Sequence, residues 1–534
     1  MTVSQYKHIT TIKLSYNSIR PKGERLNTFG GTASGYEPMK EMFEGIEKVL
    51  KNKLDSALEP MIDNHVRPIH ILDMSNLIGN NVVVGGVRRT AEIFLCDDND
   101  WEVILAKYGI NGIWNEEKHK ELINQLENIL YDEGSTYNLD WLYDMKINDP
   151  NVRPLYHRRM SNNSIAFESK PSREKLDLIF HIIQNEGEPG FVNLEAANKR
   201  RPNCKGLNPC AEILLDSYGV CNLTTVNIVA FVDELEDGTY KLNYRGLMEA
   251  QALSARAGLR MTCLDLELPH WDKIHKRDRL IGTSLTGWKD AMDMLGYTED
   301  QEAQLQELLA KVVNQECVRY CHILRIPTPL LDTTVKPEGT LSQIANGVSS
   351  GLHVSYAPYF IRRIRINAED PLVKVVNELG WHISPEVGTK GDTLEEQLQN
   401  ARTLVIDFPM KSPTTKTRDS QTIKEQFDNY FQFQQIYTSH NSSNTISVRP
   451  DEWSLAKDIV WDNWDDFVGV SFLAYDGGTY PLSPYEEITE EEYIKLKSQM
   501  NPFNPELLLK YEHDEYAATE DGMEGCESGL CPIR

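Results

Sequence analysis

The chain reads as an α/β protein built on a sheet or barrel, and three patterns carry that reading. Short apolar runs bounded by turn residues recur at 164–167, 212–215, 331–335, 403–408, 445–448 and 468–474. Helical periodicity fills intervals between them, and Gly-rich or hydroxyl-rich loops mark several junctions. Alternation of this kind packs helices on a sheet and leaves the strand ends to ligands.

In chain order, a strand-like run at 8–14 enters Phe29-Gly30-Gly31-Thr32-Ala33-Ser34-Gly35, and an amphipathic helix pattern follows over about 38–58. A second helix, about 69–83, runs into Val84-Gly85-Gly86-Val87-Arg88-Arg89. The helix over 173–184 ends at Gly187-Glu188-Pro189-Gly190, a turn sequence. Arg362, Arg363 and Arg365 read as a salt-bridged surface strand. The acidic stretch from about 512, with Gly522, Gly525 and Gly529, reads as a mobile tail.

The chain of 534 residues is 40% hydrophobic and can bury a large core. No apolar run reaches the roughly eighteen residues that cross a bilayer, and the first residues lack an apolar signal core. A soluble, cytoplasmic protein is expected. The formal net charge of -25 argues against a nonspecific grip on nucleic acid. Anionic nucleotides would bind only where backbone N–H groups or local arginines reverse the field. Nine cysteines in so long a chain do not form a disulfide framework. Cys96, Cys263, Cys317 and Cys321 sit in apolar or helical surroundings and read as packing residues.

The strongest motif is Asn208-Pro209-Cys210-Ala211-Glu212. In an extended segment alternate residues share a face, so amide, thiol and carboxylate would converge on one small molecule. Asn-Pro is equally a turn dipeptide. Cys221 follows a turn signal at Asp216-Ser217-Tyr218-Gly219, and a return strand would bring it back near Cys210. Cys526 and Cys531 lie close to the C-terminus, where access favours disulfide exchange over a zinc site that lacks further ligands. No metal-ligating set is read.

Thr333-Thr334-Val335-Lys336-Pro337-Glu338-Gly339-Thr340-Leu341-Ser342 joins a strand to a helix. It is either a phosphate cradle at a helix N-terminus or an ordinary N-cap. Ser161-Asn162-Asn163-Ser164 precedes a strand as a turn or a site lining. Gly85, Gly86, Arg88 and Arg89 make either a loop moulded by an anion or a solvated basic turn.

Together these pieces resemble the large catalytic chain of ribonucleotide reductase, with the closest likeness to the class II, adenosylcobalamin-dependent enzymes. The matches run in order from Ser18-Ile19-Arg20-Pro21-Lys22-Gly23 to Cys526 and Cys531. They include Pro450-Asp451-Glu452-Trp453 and Tyr475-Asp476-Gly477-Gly478-Thr479-Tyr480. The resemblance implies a ten-stranded α/β barrel of the ribonucleotide reductase and glycyl radical type, with a central finger loop carrying Cys210. It further implies a thiyl radical at Cys210, formed through a 5′-deoxyadenosyl radical, that removes the ribose 3′-hydrogen. Glu212 would be the general base and Asn208 would hold the ribose and Glu212. Cys221 would be one of the reducing thiols, re-reduced by Cys526 and Cys531 and then by thioredoxin or a glutaredoxin-like donor.

The same resemblance assigns Ser161, Asn163 and Ser164, with Pro337, Glu338, Gly339, Thr340, Leu341 and Ser342, to the ribonucleotide substrate. Arg20, Gly30, Gly31, Gly85, Gly86, Arg88 and Arg89 would serve a dNTP or ATP allosteric effector. It divides the chain at 1–100 (effector loops and helical interface), 101–510 (barrel) and 511–534 (redox tail). Helices 38–58 and 69–83 match the dimer interface of dimeric relatives, which allows a homodimer.

Three departures are visible. No cysteine precedes Cys96, so the thiol that pairs with Cys221 is expected on an N-terminal polypeptide of a split or intein-interrupted reductase. That polypeptide would also supply barrel strands. No adjacent Tyr-Tyr occurs, which favours cobalamin over the alternative of a class I large chain driven by a separate metal-containing subunit. A cobalamin motif of the Asp-Xaa-His type is absent, which suits a cofactor bound with its own base. An inactive nucleotide-binding regulator is the reading from another class, and the five intact groups Asn208, Cys210, Glu212, Cys221 and the tail pair argue against it.

Overall fold

A computed structural model describes residues 13–22, 24, 33, 35–51, 65–81, 83–84, 87–88, 91–109, 114–143, 145, 156–339, 341–345, 347–368, 370–387, 389–401, 403–475 and 482–513. Gly30, Gly31, Gly85, Gly86, Arg89, Thr340, Cys526 and Cys531 lie outside them, as do most of the strand-like run at 8–14 and the side chain of Arg88.

Helix α1 (Glu37–Leu50) and helix α2 (Pro68–Asn81) pack on each other, with Gly45 giving room to Leu77. Strand β1 (Ile93–Cys96) follows, then helix α3 (Glu116–Asp132), strand β2 (Asn162–Phe167), helix α4 (Arg173–Glu186), strand β3 (Gly190–Asn193) and helix α5 (Leu194–Arg200). Ser172 caps α4 by accepting the Lys175 N–H, and Gly187 ends it with φ 77°, a left-handed position that suits glycine. β1, β2 and β3 are parallel, with Ile93 opposite Asn162 and Ser164 opposite Gly190. Ile165, Phe167 and Phe191 on these strands share one core with Leu176, Ile179 and Ile183 of α4. Parallel strands covered in this way lose water from both faces.

A hairpin of β4 (Gly206–Leu207) and β5 (Leu214–Leu215) comes next. Then follow β6 (Asn222–Asn227), α6 (Tyr244–Met261), β7 (Ile281–Thr286) and α7 (Glu299–Leu324). β6 and β7 are parallel, and β7 is buried at every residue. Its hydroxyls are buried at low cost because they are bonded: Thr283 Oγ1 donates to the Asp332 carbonyl (2.8 Å) and Ser284 Oγ accepts the Lys336 N–H (2.9 Å).

Further along the chain come β8 (Tyr359–Asn367), β9 (Ile383–Pro385), β10 (Thr403–Lys411), β11 (Thr445–Val448), β12 (Ser471–Ala474) and β13 (Tyr485–Glu487), with helix α8 (Ile423–Ile436) before β11; two short hairpins, 83–88 and 232–242, stand apart from these strands. β9, β10, β8 and β13 make an antiparallel sheet in that order. Two of its three arginines are salt-bridged, Arg363 to Asp407 at 3.1 Å and Arg365 to Glu386 at 2.9 Å, but Arg363 is buried rather than on the surface, and Arg362 donates instead to the Pro484 carbonyl (3.1 Å) and lies over the Tyr485 ring.

Parallel bridges extend the second group of strands. Thr283 pairs with Thr333, Val335 with Ser442, and β11 with β12. The Asn193 N–H at the end of β3 donates to the Val468 carbonyl (2.8 Å), which joins the first group to the second. The outcome is one layer running from β1 through β3, β12, β11 and β7 to β6. Among the described residues β1 and β6 have a strand partner on one side only, so this layer does not close. The expected ten-stranded closed barrel is therefore not what the described strands form.

Two expectations on helices and thiols are adjusted. The helix expected over 38–58 ends at Leu50 with residues 52–64 outside the description. Cys96, Cys317 and Cys321 are buried as expected, but Cys263 is exposed, because α6 ends at Met261 and leaves it on the connecting turn. No helix among the described residues is long and apolar enough to cross a membrane.

Candidate active site

Asn208 to Ile213 form the tip of the β4–β5 hairpin rather than the extended strand that alternate spacing implies. Pro209 fixes one backbone angle, and the Ala211 N–H closes a turn on the Asn208 carbonyl (2.8 Å). The Asn208 side-chain oxygen accepts the Ile213 N–H (2.9 Å), and Ala211 takes a left-handed φ of 61°. The turn carries Cys210 outward, where it is exposed, and Glu212 inward, where only 2% of it meets solvent. The chemistry-bearing groups thus meet by chain reversal and not by strand alternation.

The tip is tied down from both groups of strands. Asn162 at the start of β2 donates to the Pro209 carbonyl (3.0 Å). From the other side the Asn441 N–H donates to the Glu212 carbonyl (3.0 Å), and its side chain donates to the Ala211 carbonyl (2.8 Å). Thr334 Oγ1 bridges the carbonyls of Asn441 (2.7 Å) and Glu212 (3.2 Å). His440 Nδ1 accepts the Leu214 N–H (3.2 Å), and its Nε2–H donates to the Ile281 carbonyl (3.1 Å).

Burial raises the Glu212 carboxyl above its ordinary range; Asn208 hydrogen-bonds it and Lys336 opposes the rise, while the Glu338 charge adds to it. One of its oxygens, Oε2, is buried with no hydrogen-bond partner. A carboxylate of raised proton affinity with a vacant acceptor is suited to take a proton from a bound hydroxyl. Cys221 packs with Ala211 and Leu215 against Leu207 and Leu214. Enclosure, and then the Glu212 charge, push its thiol well above the ordinary value. It therefore stays an S–H, which fits hydrogen donation better than nucleophilic attack.

The expected substrate residues divide. Ser161 and Asn163 are buried at the start of β2, with Asn162 between them touching the tip. Ser161 donates its N–H (2.9 Å) and hydroxyl (3.0 Å) to Asn76 Oδ1 on α2, and the Asn163 amide nitrogen is buried without a partner. Ser164 is buried and its carbonyl accepts from the Cys96 thiol at 3.7 Å. In the 333–342 loop, Gly339 and Leu341 are exposed, and Pro337 is half-buried. The Ser342 hydroxyl is engaged internally with Ser350 (3.1 Å), so it does not offer itself as a free phosphate donor. Glu338 points inward and is 4% exposed. Arg20 is exposed and pairs with Glu24 at 3.8 Å.

Asn441, His440, Thr225 and Asn76 were not singled out from the sequence. The polar run Thr438-Ser439-His440-Asn441-Ser442-Ser443-Asn444 directly before a buried strand is the signal that would have found the first two. It has the same form as Ser161–Ser164 before β2.

Comparison with known proteins decides the family. The family model described as the ribonucleotide reductase barrel domain matches residues 100–322, and that of the B12-dependent ribonucleotide reductase insertion domain matches residues 2–50. The chain belongs to the ribonucleotide reductase family. It is 28% identical to the adenosylcobalamin-dependent ribonucleoside-triphosphate reductase of Lactobacillus acidophilus over 566 residues, covering 98% of this chain and 66% of that protein. The enzyme of the same description from Lacticaseibacillus paracasei is also 28% identical over 98% of this chain. A crystal structure of a B12-dependent (class II) ribonucleotide reductase superposes with a TM-score of 0.69 at 25% identity, covering 93% of this chain and 64% of that one. This reductase chain thus spans just under two thirds of the length of the curated relatives it matches.

Among its described residues this reductase chain has no group of three or more His, Cys, Asp or Glu placed to hold a metal ion. Adenosylcobalamin carries its own cobalt and asks the protein for an accessible hydrogen donor instead. The exposed Cys210 at a pinned turn meets that requirement, so the residues fit the cofactor.

Proposed function

We propose that this chain reduces ribonucleoside triphosphates to 2′-deoxyribonucleotides with a cysteine radical at Cys210 and adenosylcobalamin as its source. The observation that carries the proposal is one hairpin turn presenting Cys210 outward and Asn208 and Glu212 inward, with Cys221 beside them. The triphosphate assignment rests on the description of the relatives.

When bound at the tip, adenosylcobalamin supplies a hydrogen-abstracting radical; Pro209, Cys210 and Ala211 are the residues that would meet it. Cys210 takes the ribose 3′-hydrogen. Glu212 accepts the 3′-hydroxyl proton on Oε2, while Asn208 fixes the carboxyl orientation. Cys221 and the thiol proposed as its partner would supply the hydrogens with which the 2′-hydroxyl leaves as water, closing a disulfide between them, and Cys210 would return its hydrogen to C3′; thiol exchange with Cys526 and Cys531, and then with an external thioredoxin or glutaredoxin-like donor, would reopen the disulfide. Asn163 and the 333–342 loop hold the nucleotide.

The finer architecture belongs to the same proposal: a ten-stranded barrel at 101–510, completed beyond β1 and β6 by strands of an N-terminal reductase polypeptide that brings the thiol partner of Cys221. The relatives are longer than the region this chain matches, which leaves room for such strands, although the relatives carry them in a single chain. Residues 1–100 then hold the dNTP or ATP effector and the α1–α2 interface of a homodimer; the insertion-domain match lies within them, over 2–50. The setting is the cytoplasm.

The test is deoxynucleotide formation by the purified chain, alone and with the remaining reductase polypeptide, in the presence of adenosylcobalamin and a dithiol. Turnover that requires the cofactor and vanishes in Cys210→Ser, with nucleotide binding retained, supports the reading. Cofactor-independent turnover, or an active Cys210→Ser chain, overturns it.

A further inference from the structure

Glu338, the buried acid of the 333–342 loop, accepts from Thr225 Oγ1 of β6 (2.5 Å) and lies 3.5 Å from Lys336 Nζ, so it belongs with the site already described. A second set of polar groups shares no residue with that site. It lines a cleft of about 450 Å³ where α8 meets the start of α7 and the helix Trp288–Leu295. Asn429 of α8 forms part of the wall and is 6% exposed. Its amide nitrogen donates to the Leu352 carbonyl (2.8 Å), which fixes the orientation of the amide. The amide oxygen, Oδ1, is then buried with no hydrogen-bond partner. A buried acceptor left unbonded is costly, and one in a cleft wall points to a donor from outside the chain.

The charges of the cleft say what kind of donor. Its two lysines are already paired: Lys289 donates to Glu302 (2.7 Å), and Lys416 lies 3.2 Å from Asp293. Glu425 turns back to cap its own helix, accepting the N–H (2.7 Å) and the hydroxyl (2.8 Å) of Thr422. Asp428 and Glu299 also line the cleft, and neither carboxylate has a hydrogen-bond or ion-pair partner among the described residues. Gln432, one turn along α8 from Asp428, donates to the Glu299 carbonyl (3.2 Å), so the two acids stand on adjoining elements. The unmet groups are therefore all acceptors, one amide oxygen and two carboxylates. A ligand that answers them carries positive charge and several N–H donors, which describes an organic ammonium. A bare divalent ion is a poorer match, because no three His, Cys, Asp or Glu side chains converge among the described residues.

We propose that this cleft binds a linear polyamine, with one ammonium group donating to Asn429 Oδ1 and another paired with Asp428 and Glu299. Such a ligand clamps α8 to the start of α7. Tyr430, the residue after Asn429, donates to Asn441 Oδ1 (3.0 Å) and accepts the Val468 N–H (3.1 Å), so the clamp steadies the helix behind the Cys210 turn. Binding at the cleft does not depend on the proposed function.

The test is calorimetric titration of the full chain with spermidine at an ionic strength of about 0.15 M, which screens diffuse attraction to the net charge of -25. One saturable site is expected. The double variant Asp428→Asn/Glu299→Gln is expected to weaken it by roughly tenfold or more. Glu395→Gln/Glu491→Gln removes the same charge from exposed positions elsewhere and is expected to leave binding unchanged. Asn429→Leu is expected to weaken binding as well; should it fail to fold, the two double variants decide. Equal binding by all the chains marks spermidine as a general counterion and overturns the inference, as does the lack of a saturable site. Full displacement of spermidine by magnesium ion at equal concentration would overturn the ammonium assignment.

Discussion

Asn441 and Ala211, 230 residues apart in the chain, are joined by a 2.8 Å hydrogen bond from the Asn441 amide to the Ala211 carbonyl. The same amide nitrogen reaches the Gly469 carbonyl (3.0 Å), and its oxygen accepts from Tyr430 (3.0 Å). One buried side chain therefore fixes the turn that carries Cys210 to the backbone just before β12, in the middle of the sheet layer. Asn441→Leu is expected to lower kcat by roughly a hundredfold, the scale of a one-ångström misplacement of a reacting group. It is also expected to cost about 1–3 kcal/mol of stability through the orphaned Tyr430 and carbonyl groups. Urea denaturation and steady-state kinetics check the two effects separately.

His440 makes the fold sensitive to acid. Its ring accepts from one N–H and donates to one carbonyl, an arrangement that only the neutral ring satisfies, and burial lowers it from 6.5 to about 3. A group whose folded value is depressed gives its full stability above the unfolded value. Stability is therefore intact above about pH 6.5 and is lost as pH falls toward 3, by an amount on the order of several kcal/mol. Denaturant midpoints at pH 7.5 and 5 are expected to differ more in the natural chain than in His440→Gln, whose side chain does not titrate. Equal pH dependence in the two would remove His440 as the cause.

The thiols sort by environment. Cys210 and Cys263 are exposed, while Cys96, Cys204, Cys317 and Cys321 are buried, with burial the first cause of the raised Cys96, Cys204, Cys317 and Cys321 values. Reactivity follows the accessible thiolate. Brief treatment with a small disulfide reagent at pH 8, followed by peptide mapping, is expected to mark Cys210 and Cys263 well before those four. Labelling of Cys317 or Cys321 as early as Cys263 would contradict the packing of α7.

What could be read from the sequence follows from how local each signal is. The strand at 445–448 is observed as Thr445–Val448, and α4 starts at Arg173, because an apolar run and a Ser cap are local features. β7 escaped because Ile281-Gly282-Thr283-Ser284-Leu285-Thr286 shows little apolar contrast; its hydroxyls are buried only because partners more than forty residues away accept or donate. The grouping of Asn208, Cys210 and Glu212 was legible as composition, but the reversal at Pro209 that exposes Cys210 and buries Glu212 was not. Asn441 and Thr225 act through contacts more than a hundred residues long, which no spacing rule encodes.

Asn76 connects the α1–α2 pair to the substrate end of β2. Its side chain is fully buried; the amide nitrogen donates back to Leu72 (2.8 Å), leaving the oxygen to accept both the N–H and the hydroxyl of Ser161. Ser161 in turn lies 2.9 Å from the Asn163 side-chain oxygen, and the Asn163 amide nitrogen is the donor left without a partner. A shift of α2 by a fraction of an ångström is thus passed to the group proposed above to hold the nucleotide. In Asn76→Ala the Ser161 N–H loses its acceptor, at about 1–3 kcal/mol, and the Ser161 hydroxyl is left with Asn163 alone, so Asn163 is no longer tied to α2. With Asn163 assigned to the nucleotide as proposed above, KM is expected to rise several-fold with a smaller change in kcat. Asn76→Asp keeps the acceptor and is expected to restore most of the loss. A chain in which Asn76→Ala lowers the denaturation midpoint but leaves KM unchanged would show that the link holds the fold together and carries nothing to the site.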